Sequence, residues 1–475
     1  MAAERILSIG IDIGTSTTQV IFSRLTMENT AGYFTVPRVA IVGKEVVYKG
    51  AVHTTPLLDA SHIDGDAVRS IVEDEYRLAG FNTSDVSTGA VIITGEAARK
   101  DNSALVLSKL SDFAGEFVVS TAGPDLEAVV AGKGSGAWQF SVDSALPTVN
   151  IDIGGGTSNI VFFRDGETAA RGCVDIGGRQ IRVDGDMTVS YISPSAALIA
   201  ADCGVSLRTG GRTSEEELRQ VCGRMARLLW KFIAGRRNPL LERVTTAGSS
   251  PYTPPSAPRA VFFSGGVADC IYSPPDSLFA YGDIGVLLGQ EIKASPEFNA
   301  YRVVRPGETI RATVVGAGSY TTTVSGSTIF YSAPLFPQKN LPVLKLTLAE
   351  QAPLFTGDFS ELAKKLRWFF EQTDSDNILL ALPGVRDPGY GELKLLASAV
   401  AGAVEQVLRP GEPLFLSVET DMAKALGQTV KALMPGRETV CFDSVRVEQN
   451  DYVDLGRPLM GGIVIPVVVK TLIFG

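Results

Sequence analysis

Short runs in which apolar, mostly β-branched residues alternate with polar or small ones recur along the chain, and most of them end in glycine. Residues 5–25 read as strand, glycine turn, strand, with the alternation on both sides of Asp12-Ile13-Gly14. Residues 33–52 continue with short β-rich runs around Phe34, Val36, Val39, Ile41, Val46 and Val47, and residues 91–94 and Val118-Val119 close further strands. Residues 62–80 and 96–110 read as helices, and 126–131 as a small-residue helix running into Gly132-Lys133-Gly134-Ser135-Gly136. A second unit opens with strands at 148–153 and 160–164 and a third ending at Ile176-Gly177-Gly178. Ser214-Glu215-Glu216-Glu217 forms a capping box, and the helix it opens places Leu218, Val221, Cys222, Met225, Leu228, Leu229 and Phe232 on one face before stopping at Gly235. Residues 249–258, with four prolines, read as an exposed loop. A strand then runs into Ser264-Gly265-Gly266, residues 281–289 form a small-residue helix, and a strand at 310–315 enters a further turn, Gly316-Ala317-Gly318. From about residue 335 strands and helices alternate as a separate α/β lobe. The pattern divides the chain at 1–147, 148–330 and 331–475.

A length of 475 residues suits about three domains, in agreement with that division. The balance of 43 basic and 52 acidic residues, a net charge of −9, argues against nucleic acid and anionic membrane surfaces as partners. Five scattered cysteines with no C-x-x-C pair read as buried thiols in a reducing compartment. The two histidines, His53 and His62, match no ligand motif and read as surface or loop residues. The N-terminus lacks a signal-peptide pattern, and the apolar stretch 463–474 is broken by Pro466 and Lys470, so a cytoplasmic protein with no membrane partner is expected.

The chemistry concentrates in two turns of one design. The first is Ile9-Gly10-Ile11-Asp12-Ile13-Gly14-Thr15-Ser16-Thr17-Thr18, and the second is Asn150-Ile151-Asp152-Ile153-Gly154-Gly155-Gly156-Thr157-Ser158-Asn159. Glycines after a buried strand let backbone N–H groups approach an anion, and hydroxyls add donors for phosphate oxygens. A carboxylate at the strand end repels phosphate unless a divalent cation bridges them. Two such turns point to two similar halves closing on one nucleotide. Other glycine-rich stretches are weaker. Residues 132–136 lack the spacing of a phosphate loop and read as a helix cap or hinge. Gly316-Ala317-Gly318 reads either as a plain turn or as an adenosine contact. Lys44 and Lys49 are the candidate phosphate cations, though surface positions suit them better, and Asp421 reads as a helix N-cap rather than a metal ligand.

The order of these motifs resembles the actin, heat-shock-70 chaperone and sugar-kinase superfamily: phosphate-1 turn, small-residue connecting helix at 126–131, phosphate-2 turn, adenosine turn at Ser264-Gly265-Gly266, second connecting helix at 284–288. The implied fold is α/β, an actin-like (ribonuclease H-like) two-lobed ATPase core with an additional C-terminal α/β lobe. The triple glycine and Ile176-Gly177-Gly178 resemble the chaperone and actin-like branches. Over the whole chain, from residues 9–20 to the ending Pro466-Val467-Val468-Val469-Lys470-Thr471-Leu472-Ile473-Phe474, the sequence is similar to the reactivating factors of ethanolamine ammonia-lyase. That resemblance implies an ATP- and Mg²⁺-dependent, chaperone-like ATPase whose partner is the lyase, with cobalamin met only through that partner and association with a bacterial microcompartment compatible. It also implies residue roles. Asp12 holds hydrated Mg²⁺, Gly14, Thr15, Ser16 and Thr17 surround the β- and γ-phosphates, and Asp152 contacts the metal through water and orients the attacking water. Gly154, Gly155, Gly156 and Thr157 contact the γ-phosphate, while Ser264, Gly265 and Gly266 bind adenosine. A small-molecule kinase or a filament-forming ATPase of the same superfamily are the alternatives, and oligomeric state is open.

Overall fold

The computed structural model describes residues 4–471 apart from 30–38, 60, 96, 98–99, 111–112, 114–123, 321–322, 326–327, 334, 374, 376, 450 and 460. The strand expected at Val118-Val119, the runs at Phe34 and Val36, part of the 96–110 helix and residues 472–474 therefore lie outside the described residues.

Two five-stranded sheets repeat one arrangement. In the first, Val39–Lys49, Thr17–Asn29 and Glu4–Ile13 form an antiparallel meander, and Val86–Ile93 adds in parallel beside Glu4–Ile13. In the second, Glu167–Val174, Ser158–Arg164 and Thr148–Ile153 form the same meander, and Ala260–Ser264 adds in parallel beside Thr148–Ile153. The leading hairpin of each sheet carries its aspartate one residue before the strand ends, with Asp12 opposite Gln19 and Asp152 opposite Asn159. Even the turn closures match: Gly14 N–H donates to the Thr17 carbonyl at 2.8 Å, and Gly154 N–H to the Thr157 carbonyl at 2.9 Å. This duplicated sheet pair is the actin-like core. Each sheet has its own apolar cluster, around Ile9, Ile11, Phe22 and Val72 in the first lobe and around Ile151, Phe162, Met225 and Leu288 in the second. The long helix of the second lobe, Glu215–Ile233, is capped as expected: Ser214 Oγ accepts from Glu217 N–H at 3.2 Å and Glu217 Oε2 accepts from Ser214 N–H at 2.9 Å.

Two helices exchange lobes between these sheets. Pro124–Gly134 follows the first sheet in sequence but packs on the second, while Ala312–Tyr320 follows the second and packs on the first. Their axes approach so closely that no Cβ fits at the crossing. One at Gly134 would overlap the Ala312 carbonyl oxygen, and one at Gly316 would overlap that of Val130. A Cβ at Gly10 would stand 2.5 Å from the Val314 carbonyl oxygen, so the strand leading to Asp12 is pressed against the same helix. Ser8 Oγ adds a hydrogen bond to the Gly318 carbonyl at 2.6 Å.

This corrects three expectations. Residues 312–320 are helix, not a strand and turn; Thr313, Val314 and Val315 favour strand locally, but close packing on both neighbours overrides that preference. The second connecting helix is therefore Ala312–Tyr320 and not 284–288, because Gly285–Ala294 packs inside the second lobe against Glu215–Ile233 and Gly266–Tyr272. Gly316 and Gly318 face protein backbone and not a ligand. Within 132–136, Gly132 and Gly134 belong to the first crossing helix, and only Gly136, at φ 89°, adopts the left-handed conformation of a residue between two helices.

The eight-stranded third sheet contains four parallel strands, Gln338–Lys345, Leu379–Leu382, Leu414–Val418 and Thr439–Asp443. Helices Ser360–Gln372, Tyr390–Val407 and Ala423–Leu433 connect them and pack as one cluster on one face. Asp421 is not the N-cap of Ala423–Leu433; Met422 occupies that position and gives no side-chain cap. Val468 of this lobe packs with Ala90, Ile92, Val130 and Ala317, and Val464 with Ile6, Leu25 and Met27, which seats the third lobe on the first beside the helix crossing. Among the described residues no helix is long and apolar enough to cross a membrane.

Candidate nucleotide site

The two aspartate turns face each other across a cavity of about 320 Å³ lined by Asp12, Gly14, Thr15, Ser16, Thr17, Asp152, Gly154, Gly155, Gly156, Thr157, Gly265 and Gly266. Of the residues expected at the site, only Ser264 is absent from the lining. It stands behind Asp152, where its Oγ donates to Asp152 Oδ1 at 2.5 Å and accepts from Asn150 Nδ2 at 2.9 Å. Ser264 therefore stands behind the carboxylate and outside the cavity lining. Parallel register explains it, since Ser264 pairs with Asp152 across the sheet. On the other side, Thr94 follows the parallel strand of the first sheet and donates from Oγ1 to Asp12 Oδ1 at 3.0 Å. Each aspartate is thus aimed by a hydroxyl from the neighbouring parallel strand.

A third carboxylate, Glu127, enters from the first turn of the Pro124–Gly134 helix and accepts from Gly95 N–H at 3.4 Å. The expectation for this helix rested on its small residues and passed over Glu127. The available signal was one acidic residue inside the otherwise apolar run Leu126-Glu127-Ala128-Val129-Val130-Ala131. All three carboxylates are buried. Burial pushes Asp12 up to about 7, opposed by the Thr94 hydrogen bond and reinforced by the charge of Asp152. Burial likewise lifts Asp152 to about 6 against hydrogen bonds from Ser264 and Thr313. Glu127 is driven well above the usual carboxylate range by burial, then by the charges of Asp152 and Asp12. Such a trio is poorly solvated when ionised and calls for a cation.

Hard oxygen donors suit Mg²⁺. Among the described residues no three His, Cys, Asp or Glu side chains lie close enough to enclose a metal. Mg²⁺ keeps several waters and takes one or two carboxylates together with phosphate oxygens.

Backbone geometry explains the glycines. Gly265 has φ 85° and sits against the Ile153 backbone, so any side chain there is both strained and blocked. A Cβ at Gly155 would stand 2.9 Å from Ser16 Oγ of the opposite lobe. The Gly177-Gly178 turn clamps the second loop, with Gly178 N–H donating to the Gly154 carbonyl at 3.0 Å and Arg179 N–H to that of Gly155 at 2.7 Å. Further along, Arg179, Asp269, Cys270, Tyr281 and Asp283 also line the cavity, and none of them was singled out from sequence as a site residue. Lys44 and Lys49 are absent from the lining, and Lys49 pairs with Glu308. His53 is not a plain surface residue: its Nε2 lies 2.6 Å from the buried Glu75 carboxylate, which also accepts from Tyr48 Oη at 2.7 Å. The five cysteines are unbridged, and all but Cys203 are buried.

For the ATPase that the motif order implies, Ser264→Ala is expected to keep the fold but lower the maximal rate by about tenfold, since a hydrogen bond to a charged group contributes roughly 1.5–3 kcal/mol. Losing that bond raises Asp152 further, so the acidic limb of the pH–rate profile should move to higher pH. Steady-state rates from pH 5 to 9 check both effects.

Residues 4–475 match the family model described as "Ethanolamine utilisation protein EutA". The chain is 35% identical over 478 aligned residues to "Ethanolamine ammonia-lyase reactivase EutA" of Salmonella typhimurium (strain LT2), with 100% of both chains covered. It is 34% identical, again over 100% of both chains, to the protein of the same description from Escherichia coli (strain K12). The solved Aquifex aeolicus PPX-GPPA enzyme is a distant likeness, with 12% identity and a TM-score of 0.39 over 66% of this chain and 99% of that one.

Proposed function

This chain belongs to the ethanolamine utilisation protein EutA family, and from that membership we propose that it is an ATP-dependent reactivase of ethanolamine ammonia-lyase, exchanging damaged cobalamin on the lyase for intact adenosylcobalamin. The observation that carries the ATPase part is the convergence of three buried carboxylates, one from each sheet and one from a crossing helix, on a cavity edged by two matching glycine turns. ATP lies between the lobes, with Thr15, Ser16 and Thr17 around the β- and γ-phosphates and Gly154 to Thr157 at the γ-phosphate. Gly265 and Gly266 leave room for the adenosine. Asp12 and Asp152 would hold Mg²⁺, and the metal would supply charge neutralisation for the developing phosphate charge. Asp152 and Glu127 orient the attacking water, and Glu127, aimed into the cavity from the crossing helix, can receive its proton when it is ionised. Such a site works by positioning and electrostatics more than by covalent chemistry.

Lobe closure depends on contacts that ATP makes and ADP does not. Because the third lobe packs beside the helix crossing, a change in lobe angle reaches it directly, and we assign partner contact to that lobe.

The test mixes the protein with cyanocobalamin-inhibited ethanolamine ammonia-lyase, ATP, Mg²⁺ and adenosylcobalamin, and follows lyase activity. ATP-dependent recovery is expected. Recovery equal to that without ATP, or none at all, rejects the proposal.

A further inference from the structure

Five carboxylates line the nucleotide cavity, those of Asp12, Glu127, Asp152, Asp269 and Asp283, and among the described residues its lining contains a single lysine or arginine, Arg179. A triphosphate adds more negative charge, and one divalent cation cannot balance the sum. Resting on the nucleotide reading above, we infer that Arg179 is the polyphosphate-gripping residue of this site: its guanidinium leaves Asp283 for the phosphate chain of the bound nucleotide and makes the site select di- and triphosphates over monophosphates.

Placement supports this. Arg179 N–H is tied to the Gly155 carbonyl at 2.7 Å, so its backbone is fixed to the second phosphate turn. Its stem lies over Gly155, where a Cβ would meet Arg179 Cδ at 3.4 Å and Ser16 Oγ, from the other lobe, at 2.9 Å. The side chain is thus rooted where the two turns come together. Its head is held lightly. Arg179 Nε lies 3.5 Å from Asp283 Oδ2, while Asp283 Oδ1 is already engaged by Gly285 N–H at 2.8 Å. Asp283 is buried, whereas the Arg179 side chain is 40% exposed. Rotation of a long stem suffices to bring a planar, always-charged fork onto phosphate oxygens, where paired N–H donors outcompete one loose carboxylate contact. Asp283 keeps its backbone partner when the guanidinium departs.

The competing explanation is that Arg179 merely neutralises Asp283. Calorimetric titration of ATP, ADP and AMP, with Mg²⁺ present, into wild type, Arg179→Gln, Arg179→Lys and Asp283→Asn separates the two. Arg179→Gln should weaken ATP and ADP by about ten- to a hundredfold with AMP affinity unchanged, and Arg179→Lys should restore part of the loss. Asp283→Asn should keep the preference for ATP over AMP. The unchanged AMP affinity also reports that each variant is folded. Equal weakening of all three nucleotides by Arg179→Gln, no weakening of any, or loss of the ATP preference in Asp283→Asn overturns the inference. Failure of the wild type to bind ATP rejects the nucleotide reading itself, and the inference with it.

Discussion

Asp12→Asn is expected to abolish ATP turnover and, in the metal-free protein, to raise thermal stability. The first effect follows from removing the carboxylate proposed to hold the metal; at several kcal/mol of lost charge stabilisation, the rate should fall by about a thousandfold. The second follows from linkage. Asp12 is raised from 3.8 to about 7 in the folded chain, chiefly by burial, so the folded state binds its proton more tightly than the unfolded state does. That advantage is complete below about pH 4 and is lost progressively as the pH rises through about 7. At pH 8 the wild type therefore carries an ionised, poorly solvated Asp12 beside Asp152 and Glu127, a penalty of up to about 4 kcal/mol. Asparagine, which has nothing to ionise, escapes it. Thermal melts of the metal-free proteins should show Asp12→Asn melting a few degrees higher at pH 8, the gap narrowing toward pH 4. Equal melting temperatures at pH 8, or normal turnover, contradict the assignment of Asp12.

The second large effect lies at the helix crossing. Helix propensity alone says that alanine at an interior glycine stabilises by about 1 kcal/mol. Gly316→Ala should do the reverse. Its Cβ would overlap the Val130 carbonyl oxygen, and backbone moves far less readily than a side-chain tip. Overpacking of this kind destabilises by roughly 1–3 kcal/mol or more. Since Val130 lies one turn beyond Glu127 on the same helix, relief of the overlap also displaces Glu127 within the cavity. We expect Gly316→Ala to lower both the melting temperature and the ATPase rate. Gly136→Ala, at a glycine with open space but a left-handed φ of 89°, should be milder and confined to stability. A Gly316→Ala protein as stable and active as wild type would show that the crossing has slack.

Much of this site was legible in the chain because strand alternation and glycine turns are local signals. The two aspartate turns, their hydroxyls and the duplicated hairpin needed no distant information. What escaped depended on contacts between segments far apart. Residues 312–320 carry strand-forming side chains, and only the helix they cross and the strand they cover make them helical. Ser264 carried the expected motif, but sheet register turns it toward Asp152 and away from the cavity lining. Glu127 and Arg179 sit beside motifs without belonging to them, and their importance comes from sharing one cavity with residues of the opposite lobe. His53 gains its meaning from Glu75, a buried carboxylate on a separate helix.

A single Mg²⁺–nucleotide site built jointly by both lobes has a direct calorimetric signature. Isothermal titration of a non-hydrolysable ATP analogue into the purified chain, with and without Mg²⁺, tests it most directly. One site per chain is expected, dependent on Mg²⁺ and lost alike in Asp12→Asn and Asp152→Asn, whose carboxylates come from different sheets. Magnesium-independent binding, or full affinity in either variant, would contradict it.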